Sequence, residues 1–140
     1  MNRQLDLRVL PERLAVCRFE PNTALSELGP ADSFFSLTRT EDELSLVVSE
    51  TAVRIGWCAE RGWRGLQVRG PLDFGLVGVL ASLAGPLATA GVPIFLLSTY
   101  DTDYLLVRES DLERAVDVLG EAGHTVRHTA DAESAREEEA

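Results

Sequence analysis

From Trp63 to Arg69, bulky or apolar residues (Trp63, Gly65 or Leu66, Val68) alternate with polar ones, a period near two that predicts a strand. Gly70-Pro71-Leu72-Asp73 ends it. Leu76, Val77, Leu80, Leu83, Ala84 and Leu87 then recur at helical spacing. With Asp73 just ahead as a candidate N-cap, the spacing predicts a helix from about Phe74 to Ala90, closed by Gly91. Two short apolar runs follow, Ile94 to Leu97 and Tyr104 to Val107, and the polar stretch Ser98 to Asp103 between them predicts a hairpin. Glu109 or Ser110 opens a second helix with Leu112, Ala115, Val116 and Leu119 on one face, ended by Gly120 or Gly123. Thr125 to His128 returns as a last strand. Strand, helix, strand, strand, helix, strand is the ferredoxin-like βαββαβ order, an α+β unit whose two helices cover one face of an antiparallel sheet.

The first half of the chain is poorer in helical spacing. Leu5 to Leu10 and Leu14 to Phe19 flank Pro11-Glu12-Arg13, and Phe34 to Thr38 and Leu44 to Val48 flank Arg39 to Glu43, so two hairpins are expected. Pro21 to Asp32 reads as loop with one helical turn, and Glu50 to Arg61 as a short helix and connector. The half resembles a reduced copy of the second, with a boundary near Gly62: units 1–61 and 62–128. Residues 129–140 combine Ala, Glu, Asp and Arg with no apolar face, which predicts an acidic, solvated, disordered tail.

At 140 residues and 45% hydrophobic the chain can form one compact domain or two small ones sharing a core. A formal net charge of -10 repels phosphate backbones and anionic lipid, so neither nucleic acid nor membrane is an expected partner. The first residues form no apolar block and no stretch is long enough to span a bilayer, so a cytoplasmic protein is expected. Cys17 and Cys58 lack a C-x-x-C spacing or a neighbouring histidine and read as reduced core residues.

Catalytic chemistry has little support. Ser98 and His124 could be written into a triad, yet there is no nucleophile elbow, P-loop, dinucleotide fingerprint or paired catalytic carboxylates. His124 and His128 are four apart on an expected strand, not a helix, and read as exposed end residues and not as a metal pair. Gly85-Pro86 reads as a helix interruption or kink. No catalytic residue, metal or cofactor is therefore expected.

A binding site is easier to draw. Backbone N–H groups at Phe74, Gly75, Leu76 and Val77, at the positive start of the first helix, could hold a carboxylate. Gly75 would let a ligand approach, or simply eases the turn or packs on the sheet. Asp103 could meet an ammonium or guanidinium with help from Thr99 and the carbonyls of Ser98 to Tyr100; alternatively Asp101 and Asp103 make local turn bonds. Tyr100 is either an aromatic wall or an ordinary surface or core aromatic.

The segments Phe34-Phe35-Ser36-Leu37-Thr38 and Leu97-Ser98-Thr99-Tyr100-Asp101-Thr102-Asp103, with Leu106-Val107-Arg108, resemble the ACT-domain proteins of the CASTOR arginine-sensor group. Similarity continues through Gly75-Leu76-Val77 to Gly85-Pro86-Leu87-Ala88. The resemblance implies tandem ACT-like units and an amino acid, arginine or another L-amino acid, held between units. Because the family's chain has two halves each similar to this one, it also implies a homodimer. Gly75, Thr99, Tyr100 and Asp103 match its ligand-contacting positions, and Ile94 a β-branched position supplied by the opposing unit. Pro93 replaces a serine there, removing a hydroxyl and an N–H donor, which puts arginine itself in doubt. A non-catalytic amino-acid sensor is the leading expectation; the alternative is a structural or protein-interaction module without a small-molecule ligand.

Overall fold

The computed structural model of the chain describes residues 4–30, 33–72 and 77–128. The expected tail from Thr129, and with it Asp73, Phe74, Gly75 and Leu76, lie outside the described residues. Seven strands and two α-helices are described: β1 (Asp6–Phe19), β2 (Phe35–Arg39), β3 (Leu44–Ser49), β4 (Cys58–Val68), α1 (Val79–Thr89), β5 (Ile94–Ser98), β6 (Asp103–Arg108), α2 (Leu112–Glu121) and β7 (Thr125–His128). They group into two compact units, residues 1–11 with 64–140, and residues 12–63. The expected division at Gly62 follows chain order; packing places residues 1–11 with the later unit, because the start of β1 ladders with β7.

In the C-terminal unit the strands run β7-β1-β4-β6-β5. β7 lies parallel to the start of β1, from Asp6↔Thr125 to Val9↔His128, and β5 lies antiparallel to β6, from Ile94↔Val107 to Ser98↔Asp103. Alternate residues of three strands, Leu7 and Val9, Leu66 and Val68, Leu105 and Val107, form one buried face. Leu83 and Leu87 of α1 and Leu112, Ala115 and Leu119 of α2 pack on it, so both helices share that face. This is the βαββαβ arrangement expected from the sequence, with the start of β1 inserted beside β7.

Both helices end in the same way. Gly91 has φ 75° and Gly123 φ 99°, a left-handed geometry open to glycine at little cost. After each, the chain returns two N–H groups to the last turn: Gly91 to Ala88 and Val92 to Leu87, Gly123 to Gly120 and His124 to Leu119. This double bond pattern satisfies carbonyls that a helix end leaves open.

α1 starts later than its apolar spacing predicts, since Val77 and Gly78 are not helical. It is also not interrupted at Gly85-Pro86: Pro86 lies inside it. A proline at that position has no N–H for the carbonyl of Ser82, four residues earlier. The ring of His124 supplies the donor. Its Nε2 is 3.0 Å from the Ser82 carbonyl, while its Nδ1 accepts the Leu5 N–H at 3.1 Å, which sets the neutral tautomer with the proton on Nε2. His124 is only 6% exposed, so its expected place on the surface is corrected: it is the bolt between α1, α2 and β1, while His128 is exposed.

In the N-terminal unit β1 and β2 flank β3 in antiparallel pairs, from Leu14↔Ser49 to Phe19↔Leu44 and from Phe35↔Val48 to Arg39↔Leu44. Ala15, Cys17, Leu44, Leu46 and Val48 form its core with Leu28, which a 3-10 turn (Leu25–Leu28) brings in. The hairpin expected at Pro11-Glu12-Arg13 is absent, and β1 is one strand of 14 residues. Pro11 is tolerated because it falls between the stretch laddered to β7 and the stretch laddered to β3. The connector expected before Trp63 is likewise strand, the first part of β4, preceded by a 3-10 turn at Glu50–Ala52. Cys17 is buried as expected; Cys58 is exposed, a second correction, since it opens β4 rather than facing the core. Burial pushes the Cys17 thiol pKa up, against a smaller downward pull from Arg61.

Two outcomes follow. His124→Ala orphans both Leu5 N–H and Ser82 C=O and is expected to lose about 2–3 kcal/mol in urea unfolding. In a Pro86→Ala background Ser82 regains a helical donor, and the loss should shrink by about 1 kcal/mol. Iodoacetamide at mildly alkaline pH is expected to label Cys58 in the native protein and Cys17 only after unfolding, as read by peptide mass.

Candidate functional site

A cavity of about 420 Å³ opens in the C-terminal unit between the first turn of α1 and the β5–β6 hairpin tip. One wall is backbone. Gly78, with φ 84°, precedes α1 without a side-chain cap, and the first helical bond runs from Ser82 N–H to Gly78 C=O at 2.9 Å. The N–H groups of Gly78, Val79, Leu80 and Ala81 come before that bond, at the positive end of the helix, and all four residues line the cavity.

The facing wall is the hairpin tip, Ser98 to Asp103. Thr99 N–H donates to Thr102 C=O at 2.8 Å, and Thr102 N–H returns to Thr99 Oγ1 at 3.3 Å, which closes the turn. Buried Thr102 anchors it to β4 by donating Oγ1–H to Val68 C=O at 2.5 Å. The Leu72 N–H donates to Asp101 C=O at 2.6 Å from outside the turn. Gly70 makes this closeness possible: a Cβ there would stand 2.9 Å from the Asp101 carbonyl oxygen and 3.1 Å from Thr102 Cβ. Asp103, half-buried, accepts Ser98 Oγ–H on Oδ1 at 2.6 Å. The cavity therefore has the N–H groups of a helix start on one side and carboxylates and hydroxyls on the other, with Tyr100, 80% exposed, at its mouth.

Ser98, Thr99, Tyr100 and Asp103 are thus brought together, as cavity lining. Val77 is 90% exposed and lies just before the helix, outside the lining. Pro93 and Ile94 sit at the opposite end of β5 from Ser98, about 13 Å away along the strand, and do not line this cavity. Phe74, Gly75 and Leu76 are outside the described residues. Leu72, Thr102 and the Gly78–Ala81 turn complete the lining beyond the residues expected from the sequence. Gly78, one residue ahead of a steady apolar period, was the available signal for a later helix start.

A second cavity of about 420 Å³, in the N-terminal unit, is lined by Phe19, Trp57, Cys58 and charged residues. Its cation Arg18 lies 3.5 Å from Glu20, and Phe19 and Trp57 meet edge to face at 5.0 Å, so its main groups serve one another. Among the described residues no His, Cys, Asp and Glu group could hold a metal ion, and no helix is long and apolar enough to cross a membrane.

The chain is similar to known proteins in sequence and fold. The ACT-domain family model matches residues 59–121, and a second model, of an N-terminal domain, matches residues 12–54. The chain is 35% identical over 97 residues, 61% of its length, to the cytosolic arginine sensor for mTORC1 subunit 1 of Bos taurus, and spans 30% of that relative. A crystal structure of a protein from Agrobacterium tumefaciens superposes with a TM-score of 0.84 at 34% identity, over 90% of this chain and 94% of that one. The regulatory subunit of aspartate kinase from Thermus thermophilus shares the fold, with a TM-score of 0.62 at 12% identity over 87% of this chain and 99% of that one. Residues 59–121 are an ACT domain in an α+β fold, and the chain resembles one half of a CASTOR-type arginine sensor.

Proposed function

We propose that this chain is a non-catalytic, cytoplasmic regulatory module that binds a free α-amino acid in the cavity between α1 and the β5–β6 tip. The observation that carries the reading is the polarity of that cavity: the N–H groups of a helix start, without a side-chain cap among the described residues, line it together with Asp103 around room for a small molecule. An α-carboxylate fits the helix end, where an anion gains about 0.3–1 kcal/mol or more when partly buried. An ammonium or side-chain cation fits Asp103 and Asp101, with Thr99 and Ser98 as hydroxyl partners and Tyr100 as an aromatic cover. The likeness to an arginine sensor supports an amino acid as ligand.

A homodimer belongs to the same proposal. Pro93 and Ile94 stand far from their own cavity, so they would serve the site of a second copy. A ligand spanning two copies would favour the dimer by as much as it prefers it over the monomer.

Thermal-shift titration against the free amino acids tests the reading. A true ligand at about 100 times its Kd stabilises the native state by about 2.7 kcal/mol. A selective rise with one or a few amino acids is expected; a flat response across millimolar concentrations would favour a protein-interaction module. Asp103→Asn keeps an acceptor for Ser98 Oγ–H but removes the charge, and is expected to weaken binding about 10–100-fold in calorimetry with little change in stability. Gly70→Ala pushes the tip away from its brace and is expected to lose about 1–3 kcal/mol of stability together with affinity.

A further inference from the structure

The sheet of the C-terminal unit carries a positive patch on the face away from its helices, in a chain with a formal net charge of -10. In the β1–β7 ladder Leu7 stands beside Val126, and Arg8 beside Arg127. Leu7 and Val126 belong to the core, so alternation puts Arg8 and Arg127 side by side on the opposite, exposed face. Arg69, just past β4, joins them. Its backbone N–H bonds to Asp6 C=O at 2.7 Å, and its guanidinium, 81% exposed, reaches the Asp6 carboxylate at 4.0 Å.

Three guanidinium groups and one carboxylate therefore share adjoining strand positions, about 5 Å apart from strand to strand. Like charges directly opposite in a ladder are destabilising, and this pair persists although acidic residues outnumber basic ones 23 to 13. Arg8 is also oriented in advance: its Nε donates to Gln67 Oε1 at 2.9 Å, and Gln67 Nε2 donates to Tyr104 Oη at 3.1 Å. That chain of bonds across β1, β4 and β6 holds the guanidinium plane and removes part of the ordering cost of binding.

We infer that this face is an anion site for the phosphate group of a small molecule, bridged by Arg8 and Arg127 with Arg69 at its rim. Three arginines less one aspartate leave two positive charges, which a phosphate monoester with its charge near -2 neutralises. The planar arginine fork matches phosphate oxygens in pairs. The site is on the opposite face of the sheet from α1 and shares no residue with the amino-acid cavity.

The test follows the arginine Nε–H signals of the intact protein by NMR while glycerol phosphate is added, with sodium chloride at equal ionic strength as the control. Saturable shifts of Arg8 and Arg127 with the phosphate alone are expected. In Arg127→Gln the saturable response should fall at least tenfold, and relief of the like-charge contact should raise Tm in low salt by about 2 °C. Shifts that follow ionic strength equally for both salts would overturn the inference. So would phosphate binding that survives Arg127→Gln and moves the amide signals at the start of α1 instead.

Discussion

A proline inside a helix needs a donor from elsewhere, and in this protein that donor organises the C-terminal unit. Pro86 leaves the Ser82 carbonyl open in the middle of α1, and the His124 ring closes it while accepting the Leu5 N–H on its other side. One neutral imidazole thus ties α1 to the end of α2 and the start of β1. The apolar contacts of Leu83 and Leu87 hold α1 to the sheet, but burial is not directional. The histidine bonds are, and they fix the helix along its length as well as against its neighbours.

That fixed helix is half of the cavity. Its uncapped first turn faces a hairpin tip that is braced from within by Thr99 and Thr102 and from behind by Gly70 and Leu72. Donors and acceptors on the two walls are therefore held in place before any ligand arrives, which lowers the entropy lost on binding. For the proposed amino-acid ligand, selectivity would depend on the side chain meeting Tyr100 and the rim, since the backbone-like groups of every amino acid are the same.

The two faces of the C-terminal sheet differ in kind. One is apolar and covered by helices; the other carries the arginine patch joined to the Arg8–Gln67–Tyr104 bonds. Strand alternation makes both from the same few residues, with Leu7 and Arg8 adjacent in sequence and opposite in space.

The sequence by itself determined the order of elements in the C-terminal unit, because each depends on local chemistry: helical spacing in α1 and α2, glycines at Gly91 and Gly123, a polar tip between the apolar runs of β5 and β6. It also singled out Ser98, Thr99, Tyr100 and Asp103, since a polar cluster at a hairpin tip is visible in one short window. Only the tertiary structure decided that β1 runs straight through Pro11, that His124 is buried and Cys58 exposed, and that Arg8 meets Arg127. Three of these depend on a partner far along the chain: β3 and β7 for Pro11, Ser82 and Leu5 for His124, β7 for Arg8. Hydrophobic periodicity reports which face of an element is buried, and it carries no information on which distant element does the burying.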